Sequence, residues 1–211
     1  MIEIPVYSAQ GQAGGKMEVD EKSLGGTVSE TLLREAAYVY ESNQRVGTRH
    51  VKNRSDVEAS TRKLYRQKHT GNARAGSRST NIRRGGGKAH APQAQDWRRR
   101  LPRRALGQAR RSALLARLMD GEVLVVEALA LEQPSTKTVA GMLKGMGVDG
   151  SFLLVVEGDS KSVETVWKSA RNIAGGAVRR AQDVNALDLL SPDRVIFTRP
   201  AFEAFMKAHT S

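Results

Sequence analysis

The residues that could do chemistry are crowded into one third of the chain. Between Arg45 and Arg111 there are 20 Lys or Arg and only three acids, Asp56, Glu58 and Asp96, a balance of +17. The rest of the 211-residue chain holds 14 bases against 19 acids, so the whole formal net charge of +12 is owed to this segment. Cations at this density suit a polyanion such as nucleic acid. Their spacing supports that reading. From Arg62 to Arg78 six bases fall within 17 residues, interleaved with Gln, Thr, Asn, Gly and Ser donors and with Tyr65. Such a pattern can lay one cation on phosphate after phosphate while an aromatic ring stacks on a base or sugar. The contacts expected from this pattern are Lys52, Arg54, Arg62, Lys63, Tyr65, Arg66, Gln67, Lys68, Thr70, Gly71, Arg74, Ser77, Arg78, Arg83, Arg84, Gly85, Gly86, Gly87, Lys88, Arg98, Arg99, Arg100, Arg103 and Arg104.

Other chemistries find little support. The run Arg83-Arg-Gly-Gly-Gly-Lys88 superficially suggests a phosphate loop, but Ile82 stands where the first Gly of that motif belongs and Ala89 where its Ser or Thr belongs. The glycines are better suited to a tight turn or to backbone lying close to a partner. His50, His69, His90 and His209 have no metal-ligand spacing, and with no cysteine there is no thiol nucleophile, disulfide or zinc knuckle. No metal and no cofactor is expected, and no catalytic residue. A nuclease or nucleotidyltransferase would need clustered carboxylates near the basic surface, and the three acids there are widely separated. A membrane-surface role would need an amphipathic basic helix, which the segment lacks. The N-terminus shows no secretory signal and the apolar runs are too short to cross a bilayer, so a soluble, cytoplasmic protein is expected.

Pro102 is well placed to open a helix, which puts Arg103 and Arg104 in the first turn, where the helix dipole disfavours cations. A phosphate at that N-terminus would relieve the conflict. Before this helix the basic segment has no means of building a core. From residue 46 to 95 its large apolar side chains are three valines, Leu64, Tyr65 and Ile82. Too little apolar surface is available to offset an ordering cost of about 1–2 kcal/mol per residue. An extended arm that orders on its partner is therefore expected.

The flanks must position that arm. Ile2, Ile4 and Val6 alternate as a strand, and Thr27-Val-Ser-Glu30 reads as a capping box ahead of a stripe at Val28, Leu32, Ala36 and Val39. Residues 106–118 suggest a helix, and 122–127, 152–156 and 195–197 suggest buried parallel strands. Stripes at Val139, Met142, Leu143 and Met146 and at Val163, Val166, Trp167 and Ala170 predict two more helices, and Pro200 opens a last one carrying Phe202, Phe205 and Met206. The expectation is an α/β domain, a three-layer α/β/α sandwich around a mainly parallel sheet of four or five strands. It comprises residues 1–44 and 106–211, with the basic loop 45–105 inserted.

Taken together, Arg45-Val-Gly-Thr-Arg49, Arg66-Gln-Lys-His-Thr-Gly-Asn-Ala-Arg74, Gly76-Ser77, Arg84-Gly-Gly-Gly87, Arg111-Ser-Ala-Leu114, Pro134-Ser-Thr-Lys137 and Ala170-Arg-Asn172 resemble the bacterial type of the large-subunit ribosomal protein four family. The resemblance covers nearly the whole chain. It implies a structural constituent of the cytoplasmic large ribosomal subunit, not an enzyme. Its partners would be the 23S-type rRNA and neighbouring large-subunit proteins. By position the resemblance adds Arg45, Gly47, Thr48 and Arg49 to the expected rRNA contacts or arm-shaping residues. The loop would thread into the rRNA early in assembly, with Lys68 and His69 at the wall of the peptide exit tunnel, in reach of the nascent polypeptide. Some members of that family are thought to bind their own messenger, so an mRNA leader joins the candidate partners and a non-ribosomal regulator stays a rival reading. The chain departs from the family at Val46 (usually Gln), His69 (usually Gly), Asn72 (usually Arg) and in the stretch from Glu58 to Tyr65, usually Gly-rich with Pro-Trp.

Overall fold

The structure, a computed structural model, describes residues 1–129 and 131–209, with the His209 side chain left out. Ala130, Thr210 and Ser211, which fall within the expected domain, lie outside the described residues. The chain divides into two units, one formed by Met1–Glu41 with Arg100–Ser211, the other by Ser42–Arg99.

The first unit is built on a six-stranded sheet, two strands more than the apolar runs show and one beyond the expected upper count. The strands are β1 (Ile2–Tyr7), β2 (Ala13–Val19), β3 (Val123–Val126), β4 (Phe152–Val156), β5 (Gly176–Arg180) and β6 (Arg194–Thr198), in the order β2-β1-β3-β6-β4-β5. Only the β1–β2 pair is antiparallel. The two strands missing from the sequence reading, β2 and β5, are the two edges of the sheet. An edge strand is not covered on all sides, so it needs no continuous apolar run. β2 is mostly exposed and carries two glycines, and β5 buries only Val178.

The central strands are buried on both faces, and their period-two alternation sorts side chains into two cores. Val123, Val125, Leu153, Val155, Val195 and Phe197 face α1 (Glu30–Gln44), α2 (Arg103–Met119), α5 (Ala186–Leu190) and α6 (Arg199–His209). Leu124, Val126, Leu154, Val156 and Ile196 face α3 (Thr136–Gly145) and α4 (Ser160–Ala170). This is the expected three-layer α/β arrangement. On the first face Phe197 meets the edges of Phe202 and Phe205 at 5.5 and 5.9 Å between ring centres. On the second, Val139, Met142, Leu143 and Met146 are all buried. Trp167 leaves its stripe, however. It is 42% exposed and stacks against Arg171, 4.3 Å from guanidinium to ring centre.

The capping box expected at Thr27–Glu30 does not form. Glu30 is the first helical residue, and the Leu33 N–H donates to the Ser29 carbonyl, which puts Ser29 at the cap position. The Ser29 N–H is taken by the hydroxyl of Ser112 on α2, so a contact distant in sequence fixes where α1 begins. Among the described residues, no helix is long and apolar enough to cross a membrane.

Two polar clusters tie the bottom of the sheet together. The largely buried Arg117 pairs with Glu122 and donates to the carbonyls of Leu189 (2.9 Å), Leu190 and Pro192 (2.7 Å) at the C-terminal end of α5. Truncating it leaves a carboxylate and three carbonyls short of a donor. Arg117→Ala should therefore lower stability by about 3–5 kcal/mol, measured by urea unfolding.

The second cluster joins the starts of β4 and β6. The Ser151 hydroxyl and N–H donate to one Asp193 oxygen at 2.7 and 2.8 Å, and the Asp193 N–H donates back to that hydroxyl at 3.0 Å. These bonds from Ser151, the hydroxyl foremost, hold the Asp193 carboxyl below the usual aspartate value, with Arg117 and Arg194 adding to the effect. A carboxylate lowered on folding stabilises above its unfolded pKa and loses that contribution as pH falls through the folded one. Asp193→Asn should thus destabilise the protein at neutral pH, and the gap to the parent should shrink as pH drops below the ordinary aspartate range. Urea titrations at neutral and strongly acid pH measure both.

Candidate nucleic-acid interface

The second unit, Ser42–Arg99, has no strand, and its only helical residues are the last turn of α1. What it has instead is a ladder of cross-links between an outgoing and a returning limb. At the closing end, Ser42 Oγ donates to the Trp97 carbonyl at 2.6 Å. Asn43 pairs with the Arg99 backbone in both directions: its amide donates to the Arg99 carbonyl at 3.2 Å and its carbonyl accepts the Arg99 N–H at 2.8 Å. The Arg45 guanidinium lies 3.7 Å from the centre of the Trp97 ring. Further along, Gln95 donates to the Gly47 carbonyl (3.2 Å), Val51 to Pro92 (3.0 Å) and Lys88 to Lys52 (3.0 Å).

Glycine lets the limbs close. Gly47 has φ 69°, and a Cβ there would sit 2.1 Å from the Gln95 carbonyl oxygen and 2.8 Å from Trp97 Cδ1. A Cβ on Gly86 would meet the Thr80 carbonyl oxygen at 1.9 Å, and one on Gly87 the Asn53–Arg54 backbone at 2.3 Å. The close approach anticipated for the glycine run is thus made to the protein's own main chain. The few acids serve turns. Asp56 accepts the Asn53 N–H while the Asn53 side chain accepts the N–H groups of Ser55 and Asp56, and Asp96 accepts the Arg98 N–H at 2.9 Å.

Beyond the Leu64 N–H bond to the Gly76 carbonyl (3.2 Å), residues 65–75 form the terminal loop. It is closed on itself. The Tyr65 hydroxyl donates to the Ala73 carbonyl, Lys63 to the Gln67 side chain, and Arg66 to the His69 carbonyl at 2.8 Å. His69 and Gly71 hold φ 63° and 67°. Lys68 is exposed, as is His69, and Thr70 is half-buried. Ser77 bonds the Ser60 carbonyl (3.4 Å) and the Ser79 hydroxyl (2.9 Å).

The expected contact residues therefore divide by role. Arg45, Gly47, Gly86, Gly87 and Ser77 shape the arm, as does the Arg99 backbone; Lys63, Tyr65, Arg66 and Gln67 shape its terminal loop. Arg49, Lys52, Arg54, Arg62, Lys68, Arg74, Arg78, Arg83, Arg84, Lys88, Arg98 and Arg100 are exposed, and none has a carboxylate within ion-pairing distance among the described residues. Thr48 and Gly85 are also exposed. In the other unit, α2 opens at Arg103, with Pro102 at its cap position, no side-chain cap and no acid in its first turn; Arg103 and Arg104 are exposed there. The sequence reading missed Ser42, Asn43 and Asn53 as determinants of the arm. Only Asn53, three residues before Asp56, carried a turn signal.

The cross-links define a test. Gly47→Ala forces a Cβ into the Gln95 carbonyl and a left-handed φ onto alanine. Trypsin should cut this variant faster than the parent within residues 45–100, while the urea midpoint of the sheet domain stays unchanged.

Comparison with known proteins is consistent with this geometry. The model of the ribosomal protein L4/L1 family matches residues 17–208. The large ribosomal subunit protein uL4 of Rhodopirellula baltica is 38% identical over 203 residues, covering 96% of this chain and 90% of that protein. The uL4 proteins of Symbiobacterium thermophilum and Carboxydothermus hydrogenoformans are 36% and 37% identical over 201 residues, each covering 95% of this chain and 96% of the relative.

Proposed function

The chain belongs to the ribosomal protein L4/L1 family, and on that premise we propose that it is a non-catalytic structural constituent of the cytoplasmic large ribosomal subunit whose basic arm, residues 45–105, binds the large-subunit rRNA. Its other partners are neighbouring large-subunit proteins and, at Lys68 and His69, the nascent polypeptide in the exit tunnel. The observation that carries the RNA assignment is the row of exposed cations with no carboxylate partner along two cross-linked limbs. Unpaired like charges on one segment repel each other, and a polyanion converts that repulsion into attraction. Hydroxyl and amide donors between the cations add hydrogen bonds to phosphate and ribose.

The arm divides its labour. The glycines set the path of the backbone, the exposed cations supply affinity, and the terminal loop reaches the tunnel wall. A chain that follows a crevice in folded RNA enters most readily while the RNA is still open, so the protein joins early in subunit assembly.

Incorporation into large subunits, read by sedimentation, tests this division. Replacing Gly85, Gly86 and Gly87 together by valine leaves net charge unchanged but should sharply reduce incorporation. Replacing Lys68 and His69 by alanine should leave incorporation near the parent level. The opposite pattern would sink the proposal.

A further inference from the structure

Ile82 sits on a tight turn in the returning half of the arm. The Arg83 N–H donates to the Thr80 carbonyl at 3.2 Å, so Asn81 and Ile82 are the two central residues of a tight turn. Neither has a positive φ, so the turn itself admits most residues, Ile82 included. Ile82 has 88% of its surface exposed, against 80% for Val46 and 43% for Leu64, the other large apolar residues exposed in the arm.

The turn is braced from beneath. Gly86 donates to the Arg83 carbonyl (3.0 Å), Gly87 to the Ser79 carbonyl (3.1 Å) and the Thr80 hydroxyl to the Ser77 carbonyl (3.1 Å). Ser79 is buried at the centre of these bonds. An apolar side chain is thus held out on a firm support, in a segment with almost no apolar residues, beside the exposed Arg83 and Arg84. A single exposed apolar residue is unremarkable on a globular surface. Here the surroundings say what covers it. With 20 cations to three acids across 45–111, the surface that the arm meets is a polyanion. The apolar part of an RNA is the face of a base that is not stacked on a neighbour.

We propose that Ile82 is a base-contacting residue, packing on the exposed face of an unstacked nucleobase at a point in the RNA where Arg83 and Arg84 hold the adjacent phosphates. The inference rests on the reading that the arm binds RNA. It adds an apolar contact to what charge alone would explain, at a residue outside the expected contact set.

Charge and apolar contacts are separable by salt. Counterion release sets the slope of log affinity against log salt, and an uncharged residue does not enter it. The experiment measures binding of the full chain to a large-subunit rRNA transcript over a range of KCl. Ile82→Ser should weaken binding by roughly tenfold at every salt concentration and leave the slope unchanged. Ile82→Phe should hold or improve affinity, because an aromatic ring stacks on a base. Arg84→Ala should reduce the slope by about 0.7–0.9.

Parent-like affinity of Ile82→Ser, with the steep salt slope intact, would overturn the base contact and leave the RNA reading standing. A defect confined to assembled subunits, with normal binding to the bare transcript, would overturn it in favour of a protein neighbour. A flat salt response of the parent protein would overturn the RNA reading itself, and this inference with it. Because Ile82 is solvent-exposed, the serine variant should unfold at the same urea concentration as the parent.

Discussion

Fifty-eight residues, Ser42 to Arg99, have to hold a shape while carrying many like charges and almost nothing apolar to bury. Hydrophobic burial cannot supply the order, so backbone hydrogen bonds between the two limbs must do so, and these form only where the main chains come close. That requirement explains the glycines. At Gly47, Gly86 and Gly87 a Cβ would fall within 2.3 Å of another backbone atom. It also explains the clasp. Asn43 satisfies both polar groups of the Arg99 backbone, and Ser42 and Arg45 fasten Trp97 by its carbonyl and its ring. With the two ends of the insertion fixed to each other, the entropy of closing a long loop is already met and the remaining cross-links cost less to form.

This economy leaves the cations free for a partner. An arm stabilised by internal ion pairs would arrive at RNA with its charges already spent. Here Asp56 and Asp96 form short-range bonds to backbone N–H groups, leaving the guanidinium and ammonium groups of the arm exposed. The sheet domain follows the opposite rule. There Lys16, Arg34, Lys168, Arg179 and Arg199 pair with carboxylates, and the largely buried Arg117 is held by Glu122 and three carbonyls. On the proposed reading, the division of charge along the chain is also a division of function, one segment balanced for folding and the other left unbalanced for association.

Metal-dependent nucleic-acid chemistry needs carboxylates gathered at one point, and among the described residues no group of three His, Asp or Glu is placed to hold an ion. A cavity lined by Trp167, Arg179, Asp183 and Asp188 beside the β5 edge is broadly open, and its Arg179 and Asp188 already pair at 3.4 Å. The chain belongs to a family whose relatives are proteins of the large ribosomal subunit.

Much of this was legible in the sequence because it depends on neighbours along the chain. Segregated charge, the absence of a core between residues 46 and 95, and the unbroken apolar runs of β3 and β4 are local properties, and they establish an α/β domain interrupted by a basic arm. The edge strands β2 and β5 were not legible, because an edge carries no continuous apolar signature. Nor was the start of α1, which depends on the Ser112 hydroxyl, 83 residues away. Within the arm, residue types announced a polyanion partner, but the roles of individual residues did not follow from type. Arg45 and Arg49 look alike in sequence; one is stacked on Trp97 and the other is unpaired, a difference set by a ring 52 positions away from Arg45. Composition fixes what a segment can bind, whereas which atoms remain free to bind it is decided by long-range contacts that exist only in the folded chain.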